Sequence, residues 1–64
     1  MNRETLVKMN GYLSTNYPSL WRKAYSRTAR QGWSYEERAV RIIALTTGSD
    51  TRMLAAAYCA AGIN

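Results

Sequence analysis

Histidine and phenylalanine are absent from this chain, cysteine occurs once, and only four residues are acidic. Each shortage removes a class of chemistry. Without histidine there is no Ser–His or Cys–His pair, and the commonest general base is missing. One thiol and no imidazole cannot build a structural zinc site, and a single cysteine forms no intrachain disulfide. Glu36 and Glu37 are the only adjacent carboxylates. Neighbours along a helix do not face each other, so this pair suits the electropositive start of a helix better than acid–base work. No Gly-rich phosphate loop is present. No apolar run approaches the roughly 20 residues that cross a bilayer, and the start Asn2-Arg3-Glu4 lacks the apolar stretch of a signal peptide. The expectation is a cytoplasmic, non-catalytic protein without metal, cofactor or membrane partner.

What is present is short, basic and helical. The chain has 64 residues and fits one domain, residues 1–64. So short a chain buries a modest fraction of its surface and usually needs a disulfide, a metal or a second subunit. With the first two excluded, elimination predicts a homo-oligomer, in its simplest form a dimer. Nine Lys/Arg against four Asp/Glu leave a net charge of +5. Such a surplus favours anionic partners without choosing among nucleic acid, acidic protein and membrane surface.

Pro18, Gly32, Gly48 and Gly62 divide the chain into four segments. Asn2 is placed to cap a first helix over residues 3–16, whose Leu6, Met9, Leu13 and Tyr17 share one face, with Gly11 a weak point inside it. Pro18 suits the first position of a second helix. Leu20, Trp21, Ala24, Tyr25 and Thr28 form its apolar stripe, and Gly32 is read as its stop. Ser34 and Glu37 have capping-box spacing for a third helix. Its inner face is read as Val40, Ile43 and Ala44, widened by Ile42 and Leu45, with Gly48 closing it. Ser49 or Asp50 caps a fourth helix running to about residue 61. No segment alternates as a strand does. The predicted class is all-α, three to four short helices completed by dimerisation.

Two candidate surfaces follow. Lys23, Arg27 and Arg30 fall at i, i+4, i+7, with no acid between Arg22 and Arg30. With Arg38 and Arg41 they form a candidate face for an anionic partner, nucleic acid included, or a plain solvated helix face. The Ala-rich stretch from Met53 to Gly62 has small residues spaced for close helix approach, either within the chain against the third helix or against a partner. Met53, Leu54, Ala57, Tyr58 and Ala61, joined by Trp33, form a candidate protein interface. Cys59 lies late in that helix, where the dipole disfavours a thiolate, and a buried structural thiol is expected. Ala44, Gly48 and Leu54 resemble three positions of a helix-turn-helix, but Ser49 stands where that motif prefers an aliphatic residue. The second helix offers base edges only Arg52.

In length, in the start Met1-Asn2-Arg3-Glu4 and in the helical body Tyr35-Glu-Glu-Arg-Ala-Val-Arg-Ile-Ile, the whole chain resembles the small early accessory proteins of lambdoid temperate phages, those encoded between exonuclease and excisionase. The resemblance carries no specific motif and transfers no functional residue. It implies a regulatory protein, in the host cytoplasm, that tunes host takeover or the lysis–lysogeny choice by binding a host or phage factor.

Overall fold

The computed structural model describes residues 2–30 and 32–63, and these form four helices with no strand. They are α1 (Arg3–Asn16), α2 (Pro18–Arg27), α3 (Tyr35–Thr47) and α4 (Thr51–Ala60). Among the described residues, no helix is long and apolar enough to cross a membrane.

Local chemistry sets most boundaries. Asn2 Oδ1 accepts the Thr5 N–H at 2.8 Å and starts α1. Tyr17 ends α1, its N–H donating to the Leu13 carbonyl, and also precedes Pro18, the first residue of α2. One residue therefore makes the whole α1–α2 corner. The Ser34–Glu37 capping box forms in both directions and opens α3. Gly48 closes α3 at φ 54, ψ −125, backbone that a side chain would strain. Of the two candidate caps for α4 it is Asp50 that accepts the Met53 N–H, at 3.0 Å. The α4 end is a Schellman motif: Ile63 N–H donates to Tyr58 O, Gly62 N–H to Cys59 O, and Gly62 takes φ 84.

α1 supplies the centre of the core. Leu6, Met9 and Leu13 are essentially inaccessible, and Ala39, Ile43, Met53 and Ala57 close over them from α3 and α4. α1 contacts all three other helices, whereas α2 and α4 do not touch. Asn10 is buried beside this core. Its Nδ2 donates to the Leu6 carbonyl and its Oδ1 accepts the Trp21 Nε1–H, both at 3.0 Å, tying α2 to α1.

Three expectations are corrected. First, α3 is rotated from the face read in the sequence. Ala39, Ile42, Ile43, Thr46 and Thr47 are buried, while Val40, Ala44 and Leu45 are exposed. The threonines bury at low cost because their hydroxyls donate to the Ile42 and Ile43 carbonyls at 2.6 and 2.8 Å. Second, α2 stops at Arg27, well before Gly32; Gln31, inside the expected helix, lies outside the described residues. Thr28 Oγ1 sits 2.9 Å from the Ala24 carbonyl and 3.1 Å from that of Tyr25. Arg38 Nη2 donates to the same Tyr25 carbonyl at 2.9 Å. Side chains thus satisfy the last turn and remove the need for another. Third, Leu20 and Tyr25 of the expected α2 stripe are 47% and 45% exposed, and only Ala24 and Thr28 are fully buried.

Candidate interaction surfaces

The basic residues separate into two groups. Lys23 and Arg27 project from α2 into solvent, as does Arg22 beside them. Arg30 is exposed too, but it lies beyond the end of α2, so the expected helical stripe is broken after Arg27. Among the described residues the one ion pair is Lys8–Glu4, on α1, at 3.3 Å. Arg38 is a different case. It is half-buried, its Nε donates to Thr28 Oγ1 at 3.3 Å, and its guanidinium lies 4.0 Å from the Tyr25 ring centre. Those contacts make it a brace between α2 and α3 rather than a free cation. Arg41 is exposed and lies over Trp33 at 4.4 Å, with Nη1 donating to the Glu37 carbonyl at 3.2 Å.

Trp33 occupies the α2–α3 linker. It is half-buried but stays out of the core, unlike Trp21, which packs against it. Its cover is cationic: Arg41, and Arg30 at 5.7 Å. Trp33 therefore does not join the α4 residues with which the sequence grouped it. Tyr25 is flanked by Trp21, stacked at 5.1 Å, and by Arg38.

The α4 candidates also divide. Met53 is 8% exposed and Ala57 0%, so both are occupied by the chain's own core and cannot anchor a partner. Leu54, Tyr58 and Ala61 are half-buried against that core. Leu54 and Tyr58 line an open groove of about 270 Å³ with Leu6, Val40, Ile43, Ala44, Thr47 and Gly48. None of these lining residues is charged. Sequence reasoning placed Leu54 and Tyr58 at an interface but missed the α3 side of this groove, and it read the exposed Val40 and Leu45 as part of the inner face. Their exposure follows from the rotation of α3. Ala44, Gly48 and Leu54, the helix-turn-helix positions, also line the groove, and Ala44 is exposed. Cys59 is exposed, contrary to the buried thiol expected, and sits with Ala55, Tyr58 and Ile63 around a shallow second hollow.

No cluster of three or more His, Cys, Asp or Glu side chains suited to a metal ion occurs among the described residues. Comparison with protein families, curated proteins and solved structures gave no match. The likeness to phage accessory proteins thus rests on the sequence features quoted for it and nothing more.

Proposed function

We propose that the chain is a small, non-catalytic regulatory protein that acts by binding, and that it pairs with a second copy of itself through the α3–α4 groove. One observation carries the reading: the groove is apolar and uncharged, and α2, which holds the densest positive charge, lines no part of it. Two chains of net charge +5 repel each other. They approach most readily by a surface that is itself lined by no cation. Val40 lines the groove and is 48% exposed, so pairing there also covers apolar area that water now meets. A standard interface takes about 800 Å² per partner, roughly a fifth of this chain's 4443 Å². That is the face of a helix pair, not of a single side chain. Self-pairing there uses no residue of α2 or of the Trp33 linker.

The test is thermal unfolding across a hundredfold range of protein concentration, for the natural chain and for Ala44→Glu. Pairing makes the midpoint rise with concentration, by several degrees over that range for a domain of this size. Ala44→Glu puts a charge into the groove at an exposed helical position, where folding tolerates it, and abolishes the concentration dependence. A midpoint independent of concentration in the natural chain rejects the pairing. A dependence that survives in Ala44→Glu moves it to another face.

A further inference from the structure

The shoulder where α2 meets the α3 linker brings together the densest positive charge and the one tryptophan outside the core. Residues 5–35 contain Lys8, Arg22, Lys23, Arg27 and Arg30 and no acid. Lys23 and Arg27 stand one helical turn apart and are solvent-exposed. Arg30, three residues past Arg27 and beyond the end of α2, lies over the Trp33 indole. Arg30 is thus the residue common to the cationic track and the aromatic ring.

The other aromatics nearby are already engaged. Tyr25 has Trp21 and Arg38 against its ring, and Trp21 is held by Asn10. Tyr35 lies under Arg3 at 4.7 Å. Of the two guanidiniums on Trp33, Arg41 is the fixed one, close at 4.4 Å and tied to the Glu37 carbonyl. Arg30 stands off at 5.7 Å, too far for tight stacking, on a linker rather than a helix. A planar group reaching the ring displaces Arg30, the more loosely held of the two side chains.

We infer that this shoulder binds single-stranded nucleic acid, with one base stacked on Trp33 and the adjoining phosphates on Arg30, Arg27 and Lys23. Charge complementarity selects a polyanion, and the aromatic face selects among polyanions. A duplex hides its base faces, whereas a single strand presents them to an aromatic ring. Arg30, released from the ring, becomes a phosphate contact, so binding gains a cation at the step that admits the base. The site shares no residue with the α3–α4 groove and does not depend on pairing through it.

The experiment is a titration with fluorescein-labelled oligodeoxythymidine of twelve nucleotides and with a duplex of mixed sequence. It reads anisotropy and tryptophan emission at several salt concentrations. The inference expects the single strand to bind more tightly than the duplex and to quench emission. Three phosphate contacts on a single strand give a slope of log affinity against log salt near about −2. Arg27→Gln, at an exposed site, lowers the slope magnitude by about 0.7 and keeps the quench. Trp33→Ala, outside the core, weakens binding about tenfold or more and removes the quench, with the slope unchanged. Trp33→Phe recovers part of the affinity, while circular dichroism shows both variants folded. Equal binding of duplex and single strand without quenching reduces the shoulder to an undiscriminating cationic patch and overturns the inference. So does the absence of binding at low salt, or a Trp33→Ala variant that binds as the natural chain does.

Discussion

Asn10 and Trp21 give the sharpest perturbation of the fold. Asn10 is 8% exposed, and its Oδ1 is the acceptor for the Trp21 Nε1–H at 3.0 Å. Asn10→Leu keeps the side-chain size and removes the acceptor. The Leu6 carbonyl keeps its helical N–H, so the principal loss is the indole donor left without a partner. A buried orphan donor costs about 1–3 kcal/mol, and Trp21 is only partly buried, which places the loss near about 1–1.5 kcal/mol. Trp21→Phe strands the Asn10 carbonyl oxygen instead and loses a similar amount, plus the packing of the larger ring. In the double variant neither group is stranded, so its loss falls below the sum of the two by about 1 kcal/mol. Urea unfolding followed by far-ultraviolet circular dichroism measures all three, with the urea dependence expected to stay constant. For a domain of this length, 1 kcal/mol corresponds to about 4–8 °C in midpoint. If the single losses add to within about 0.4 kcal/mol in the double variant, the hydrogen bond contributes nothing specific and the corner is held by packing alone.

Further outcomes follow from the same geometry. Gly11 lies mid-helix in α1, and a Cβ there meets nothing within 4 Å, so Gly11→Ala should stabilise by about 0.5–1 kcal/mol in the same urea assay. Gly48→Ala meets no atom either, yet its positive φ makes the change destabilising by about 1–3 kcal/mol, so the two Gly→Ala changes should have opposite signs. Arg38→Met keeps the aliphatic stem and removes the donors to Tyr25 and Thr28. Hydrogen exchange at the end of α2 should quicken while α4 protection holds, and uniform quickening would contradict a local brace. Cys59 should react with a thiol reagent in the folded protein without denaturant, and a thiol that reacts only on unfolding would place it in the core after all.

The parts of the fold legible in the sequence were those decided within four residues of chain. Asn2, Pro18, the Ser34–Glu37 pair, Gly48, Asp50 and Gly62 act through their immediate neighbours, and each marks the boundary it was read to mark. The second helix was the exception, because Thr28 at its end is joined there by Arg38, ten residues further on and invisible to local reading. The face of α3 was misjudged for a related reason. Val40, Ile42, Ile43, Ala44 and Leu45 offer apolar groups around most of the helix, so periodicity alone does not say which arc meets α1. The deciding residues were Thr46 and Thr47, which count as polar in a pattern but bury by bonding to their own helix. The groove inherits that error. It exists because Val40 and Ala44 face outward beside Leu54 and Tyr58, a consequence of how α3 and α4 sit over Leu6. The basic residues were visible from composition, but their division into the exposed Lys23 and Arg27, the brace Arg38 and the Trp33-bound Arg30 and Arg41 needed tertiary contacts.

Solution mass by light scattering, over a dilution series of the natural chain and of Ala44→Glu, probes the proposed pairing most directly. The groove reading predicts twice the 7.3 kDa chain mass at high concentration, falling towards one on dilution, with Ala44→Glu at the single-chain mass throughout. A natural chain of single mass at every concentration, or a doubled mass unchanged by Ala44→Glu, would contradict it.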